Sequence, residues 1–198
     1  MKIFPNPYRN TGRAIDVPDF IPTPSVDFAR PTALLSRCPV AKPTPLIDAT
    51  ELAKKLGIAS LHVKDERTRM RLGSFKALGA AYVIATDAAA VGGDDLGNVL
   101  ADRTYVTASA GNHGLSVAAG ARIFGAKAVI YLAKTVPEGF ADRLRGMGAE
   151  VKRAGDIYEE SVAAAVQAAK DQNWTPNTRS FPTSHRLQFS KHVIKALL

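Results

Sequence analysis

Thr104-Tyr105-Val106-Thr107-Ala108, then Ser109-Ala110-Gly111-Asn112-His113-Gly114, then Leu115-Ser116-Val117-Ala118-Ala119-Gly120-Ala121 is the stretch that decides the fold. The first five residues are β-branched, aromatic or small and read as a buried strand over 104–108. The next six are the residues that tolerate unusual backbone angles, so they read as a polar, glycine-rich turn. The small apolar residues that follow predict a helix over 115–124, and Ala128–Leu132 reads as a second strand. Strand, turn, helix and strand in that order is the unit of a parallel sheet with a helix crossing over it.

The same grammar extends on both sides. Downstream, Thr135-Val136-Pro137-Glu138 has capping-box spacing and predicts a helix to about Met147. Glu150–Arg153 reads as a short strand, and Asp156 with Glu159 three residues on predicts a capped, Ala/Val-rich helix to about Lys170. Upstream, Leu61–Lys64 reads as a strand and Phe75–Ala90 as a helix. Leu46, Ala49, Leu52, Ala53 and Leu56 fall on one face of a helix expected over 46–56, with Gly57 as its cap. The expectation is a three-layer α/β/α, doubly wound parallel sheet.

The two ends read differently. Nine prolines lie within residues 1–45, which predicts an extended arm over 1–43 wrapping a folded body, because proline removes a donor and clashes with the preceding helical turn. Residues 44–172 form the α/β region, with a small domain expected over about 86–172. Past Asp171 another buried strand is expected. Instead Thr175-Pro176-Asn177-Thr178-Arg179-Ser180-Phe181-Pro182 opens a polar, basic stretch, so 173–198 reads as an atypical tail that does not complete the sheet, and a frameshift is one origin for it. Gln188–Leu198 can form a short amphipathic helix.

Composition narrows the function classes. The net charge of +8 invites nucleic acid or an acidic membrane surface. Half of the excess lies in residues 172–198, which carry Arg179, Arg186, Lys191 and Lys195 and no acid; the rest holds 22 basic and 18 acidic side chains. Acids and bases alternate there, as in Lys64-Asp65-Glu66-Arg67, without interleaved aromatics, so neither partner is expected. The best apolar run, Ala77–Thr86, stops at Asp87, short of the ~18 residues that span a bilayer. No secretion signal is read, and the single cysteine, Cys38, suits a cytoplasmic protein with an idle thiol.

Chemistry concentrates in two segments. Gly73-Ser74-Phe75-Lys76-Ala77-Leu78-Gly79 places a lysine at a small-residue turn that opens an apolar helix, and Ser109–Gly114 supplies main-chain N–H groups at a helix start, a natural anion cradle. Other leads fail. Gly120 to Lys127 runs from helix to strand, the reverse of a phosphate loop. Gly92-Gly93-Asp94-Asp95 reads as a solvated turn. His62, His185 and His192 lack ligand spacing, so no metal is expected.

These two segments together resemble the fold-type II pyridoxal-phosphate (PLP) enzymes, the superfamily of the tryptophan synthase β chain, serine/threonine dehydratases, serine racemase and cysteine synthase. Thr44-Pro45-Leu46, Leu52-Ala53, Leu56-Gly57, Val63-Lys64-Asp65-Glu66, Arg69, Phe75-Lys76 and Gly111-Asn112-His113-Gly114 most resemble its diaminopropionate ammonia-lyase branch, over about residues 40–172. The resemblance implies a truncated N-terminal part of such an enzyme, with PLP as cofactor and β-elimination on a small amino acid of diaminopropionate, serine or threonine type. It makes Lys76 the catalytic, cofactor-bearing lysine, Phe75 a ring contact and Asn112 the partner of the phenolic oxygen. Ser109, Gly111 and His113 are placed at the substrate, His113 with a structural role as the alternative. A full-length relative is expected to be a homodimer. β-Replacement of the cysteine synthase kind and a fragment without catalysis remain open alternatives.

Three departures from the family pattern carry expectations. Ala110 stands where relatives often have Ser or Asp able to move a proton. Arg71 stands where ammonia-lyase relatives tend to have glycine, so the turn before Lys76 is expected to be strained. No glycine-rich phosphate cup and no partner for the pyridine nitrogen are found after residue 150.

Overall fold

The computed structural model describes residues 27–93 and 95–177. Its centre is a parallel four-stranded sheet of β3 (Thr104–Ala108), β4 (Lys127–Leu132), β5 (Glu150–Arg153) and β6 (Thr175–Pro176), in the order β5-β4-β3-β6. Helices α3 (Ala77–Val91), α4 (Asn112–Ile123) and α5 (Glu138–Gly146) cover one face, and α6 (Tyr158–Asp171) covers the other. Alternation along β3 explains the division. Tyr105 points into the core shared with Ile84, Leu115, Ile130 and Leu144, whereas Val106 and Ala108 meet Ala165 and Ala169 of α6.

From β3 the chain steps outward through β4 to β5, then returns to the opposite side of β3 as β6. The strand order therefore reverses between β3 and β6. In open α/β sheets a ligand crevice forms at such a reversal, outside the carboxyl ends of the strands.

The expected doubly wound layer is thus present, with corrections at its edges. Leu46–Asp48 is a strand, β1, and the helix that follows, α2, covers only Thr50–Leu56. β1 pairs antiparallel with β2 (His62–Lys64), with Ile47 opposite Val63, so β2 belongs to a separate two-stranded sheet rather than to the parallel one. The expected 46–56 helical face was a coincidence of spacing: Leu46, Leu52 and Leu56 stay exposed, and only Ala53 of that set is buried. Gly57 does cap α2, at φ +64°.

Within the expected arm, Ala29–Ser36 is a helix, α1. Its proline, Pro31, sits in the first turn, where the missing N–H has no intrahelical acceptor to lose. The remaining arm residues, 1–26, lie outside the described residues, as do 178–198 and the helix expected over 188–198. Two caps are also corrected. Thr135 donates its hydroxyl to the carbonyl of Asp156 instead of capping α5, which starts after Pro137. Asp156 offers its main-chain N–H to Glu160 Oε2 (2.6 Å), and Ile157 is the residue at the start of α6. The tail reading is corrected at its beginning: Thr175 and Pro176 pair with Tyr105 and Val106, so these residues do supply a fourth strand.

Candidate active site

Lys76 immediately precedes α3, and Gly111 immediately precedes α4. Whether the two starts face one crevice is decided by packing further along. The helices cross where Gly120 meets Ala81 and Ile84; a Cβ on Gly120 would lie 3.0 Å from Ala81 Cα and 3.1 Å from Ile84 Cδ1. Only glycine allows so close an approach. At the other end, Asp87 of α3 accepts the Tyr105 hydroxyl (2.6 Å) and pairs with Arg103 (3.5 Å), both at the amino end of β3. From Asp87 back to Lys76 is about 16 Å of helix, and from Tyr105 on to Ser109 is about 13 Å of strand. Lys76 and the Ser109–Gly114 turn therefore share the carboxyl end of β3.

The turn is built by Ser109. Its hydroxyl oxygen accepts the N–H groups of Gly111 (3.3 Å) and Gly114 (3.0 Å), tying the turn to the first residues of α4. Gly114 is required because a Cβ there would lie 2.8 Å from the Ser109 carbonyl oxygen. The Ser109 hydroxyl keeps its own hydrogen to donate. Helix α4 starts at Asn112, three residues before its expected start, so the polar turn and the helix N-terminus are one structure. Asn112 is exposed, and among the described residues no hydrogen bond engages its carboxamide. Gly111 is extended, and Ala110 is exposed with only a methyl group.

Opposite, Lys76 is partly buried, and among the described residues nothing pairs with its amine. Phe75 is 38% exposed, so its ring is not consumed by the core. The approach to Lys76 is strained as expected. Met70 (φ +47°) and Arg71 (φ +60°) are both left-handed, followed by Gly73 at φ +69°. A non-glycine residue there costs about 1–2 kcal/mol. The strain is held by a polar cluster upstream. Arg69 donates to Glu66 (2.7 Å), to Thr44 Oγ1 (2.8 Å) and to the Lys42 carbonyl (3.0 Å), and Lys64 Nζ donates to the Thr44 carbonyl (2.6 Å). The Arg69 guanidinium keeps the Glu66 carboxyl below its usual range. Tyr105 is shifted the other way: burial, then the facing Asp87 carboxylate, push its hydroxyl well above the ordinary value, so it stays a donor.

His113 has the contact that its structural alternative would require. Its Nε2 lies 2.8 Å from the main-chain oxygen of Asn177, just past β6, so this ring atom is directed at the sheet rather than at a substrate. Asn177, the Tyr105–Asp87 pair and Gly120 are supporting residues that the sequence reading missed. A tyrosine in a core strand and an aspartate late in an apolar helix were the available signals for one pair; nothing in the 172–182 stretch marks Asn177. An apolar cavity of about 450 Å³ also runs along α3, lined by Leu34, Leu35, Cys38, Met70, Tyr82 and Phe124 among others.

Residues 38–185 match the family model described as pyridoxal-phosphate dependent enzyme. The diaminopropionate ammonia-lyase of Salmonella typhimurium is 33% identical over 144 residues, 66% of this chain and 36% of that protein. The biosynthetic L-threonine dehydratase of Pasteurella multocida is 34% identical over 69% of this chain and 24% of its own. The crystal structure of the Escherichia coli diaminopropionate ammonia-lyase in complex with D-serine superposes with a TM-score of 0.69 at 29% identity, covering 77% of this chain and 42% of that one. The chain thus spans about a third of the length of the curated ammonia-lyase it matches.

Proposed function

The chain belongs to the family of pyridoxal-phosphate dependent enzymes, and from that premise we propose that it carries the lysine and the ring-binding turn of an ammonia-lyase. The proposed reaction is β-elimination on a small amino acid of diaminopropionate, serine or threonine type, giving a 2-oxo acid and ammonia. The observation that carries this reading is that Lys76 and Ser109–Gly114 share the carboxyl end of β3, with the lysine amine unengaged among the described residues. Relatives of matching sequence are named for ammonia-lyase and dehydratase activities.

The residues present fit one end of the cofactor. Lys76 Nζ would hold its aldehyde carbon, the Asn112 carboxamide its phenolic oxygen, and Phe75 would lie against the ring. When bound, the group takes up an amino nitrogen and draws electrons from the bond being broken. The protein's own share is positioning and proton transfer. Once the substrate amine has displaced it, Lys76 Nζ takes the proton from the substrate α-carbon. Main-chain N–H groups at the start of α4, with the Ser109 hydroxyl, receive the substrate carboxylate.

Ala110 limits the stereochemistry. Its methyl group can accept no proton, so among the described residues Lys76, on one side of the substrate, is the base. The chain should therefore act on the L enantiomer alone; turnover of D-diaminopropionate at a rate comparable to the L form overturns this. We further propose a cytoplasmic setting and homodimeric assembly for the full-length enzyme. Among the described residues no helix is long and apolar enough to cross a membrane.

The test is chemical. Purified chain is mixed with PLP, treated with borohydride and digested, and the modified peptide is located by mass spectrometry. Labelling at Lys76, lost in Lys76→Ala, is the expected result. Labelling spread over surface lysines, with equal yield in the variant, sinks the proposal.

A further inference from the structure

Taking as given that residues 109–114 form the cofactor and carboxylate turn, we propose that His113 is a positioning residue: its ring braces the start of α4 against the end of β6, across the point where the strand order reverses. The crevice of an open sheet exists because adjacent strands at the reversal send their following segments to opposite faces. Here α4 leaves β3 on one face, while β6 arrives from α6 on the other. Nothing covalent sets the distance between the two. The contact that spans them is His113 Nε2 to the Asn177 carbonyl, at 2.8 Å.

A carbonyl oxygen can only accept, so Nε2 must carry the hydrogen. This fixes the ring's protonation on that side and commits Nε2 to the sheet rather than to a substrate. The other half of the brace is backbone as well: the Asn177 N–H donates to the Val106 carbonyl at 2.8 Å, locking the end of β6 to β3. The Asn177 side chain is not the anchor. It is fully buried, and among the described residues neither atom of its carboxamide has a hydrogen-bond partner. Continuing the register of Tyr105 with Thr175 and Val106 with Pro176 sets Asn177 beside Thr107, whose buried hydroxyl is also unpartnered among the described residues. The strand end is therefore held through its main chain, and among the described residues His113 is the side chain that grips it.

Because His113 follows Asn112 directly, any drift of the ring's anchor moves the Asn112 carboxamide and the N–H groups at the start of α4 together. Small misplacements of such groups are costly, since their value lies in orientation. His113 acts through Asn112 and the helix start without touching substrate itself.

The test compares the unsubstituted chain with His113→Ala and with His113→Gln, which keeps an N–H donor at similar reach. Amide hydrogen exchange is measured without cofactor. In His113→Ala the amides of Gly114, Leu115 and Ser116 should exchange roughly three- to tenfold faster, the scale of one neutral hydrogen bond. His113→Gln should restore them, and amides of β4 and α6 should be unchanged throughout. Borohydride trapping at Lys76 should fall in the same order, with recovery in His113→Gln. Equal behaviour of the Ala and Gln variants, or faster exchange spread across the whole sheet, overturns the proposal. If His113→Ala does not fold, imidazole nitrogen NMR shifts of the unsubstituted chain decide it: hydrogen on Nε2 supports the brace, and a neutral ring with hydrogen only on Nδ1 refutes it. Failure of Lys76 labelling in the unsubstituted chain would refute the functional reading alone, because the exchange comparison needs no PLP.

Discussion

Ile84 in α3 and Leu52 in α2 are both branched apolar residues on helices, yet Ile84 is fully buried and Leu52 is 48% exposed. The contrast runs through the two regions they stand for. From Ala77 to Asp171, helices and strands alternate, and the sheet carries a helical layer on each face: α3, α4 and α5 on one side, α6 on the other. From Leu46 to Lys64, β1, α2 and β2 form a two-stranded antiparallel sheet with one short helix, and Leu46, Ile47, Leu56 and Val63 stay solvent-accessible. Two strands and seven helical residues cannot enclose a core of their own. Amphipathic pattern alone does not bury a side chain; a facing layer does.

The largest effect should come from the well-layered region. Ile84→Ala removes a fully buried side chain at the α3–α4 crossing, where close packing leaves the neighbours little room to collapse. We expect a loss of about 2–5 kcal/mol in denaturant unfolding. A loss below ~1 kcal/mol would show that this crossing is loosely packed.

Overpacking the same crossing should cost less stability but more function. Gly120→Val places a Cβ within about 3 Å of Ala81 and Ile84, so the helices must separate. Overpacked cores lose about 1–3 kcal/mol. Because Lys76 and Asn112 sit at the two helix starts, the separation should also suppress cofactor labelling of Lys76. Retained labelling at wild-type yield would mean that the helix crossing does not set the site.

The two regions also differed in how legible they were. The limits of β3 and β5 were readable to the residue; for β3 the reason is that a β-branched run bounded by polar turns has one reading when both faces are covered. The Ser109–Gly114 turn and Lys76 were readable for the same reason: backbone tolerance and a helix start are local properties. The 46–56 segment misled because Leu46, Ala49, Leu52, Ala53 and Leu56 satisfy helical spacing, while tertiary pairing with β2 decided the conformation of its first three residues. Asn177 was illegible, since a main-chain carbonyl acting as an anchor leaves no mark on residue type. Arg71 shows the middle case. A departure from glycine foretold the left-handed backbone, but only the structure shows the Arg69–Glu66–Thr44 cluster beside it.

That cluster lies where the two regions meet, and it supplies a pH test. The folded-state value of Glu66 is depressed by the Arg69 guanidinium, from an ordinary 4.5. A depressed acid contributes stability above its ordinary value and loses it as pH falls through the folded value. Acidification through the folded-state value of Glu66, below the ordinary 4.5, should therefore loosen residues 42–44 and the turn before Lys76 while the parallel sheet persists. Amide exchange of Leu72 and Gly73, which donate to the Arg69 carbonyl, should rise first. A Glu66→Gln variant should lack this acid step. If wild type and Glu66→Gln lose protection at the same pH, other carboxylates control the transition.

The smallest effect should come from the exposed region itself. Leu46 is 66% exposed and Leu52 is 48% exposed, so replacing either by serine forfeits little buried area. Surface substitutions away from special features change stability by within about 0.5 kcal/mol. Leu46→Ser and Leu52→Ser should fall in that range, and the double variant should be more soluble, because contiguous exposed apolar surface promotes association. Ala53, buried between them on the same helix, supplies the internal control: Ala53→Ser should cost more than either leucine change although it removes no methylene group. Should the leucine variants instead lose several kcal/mol, these side chains must be covered in solution by something outside residues 27–177, and the contrast between the two regions would then describe a face awaiting its layer rather than a surface.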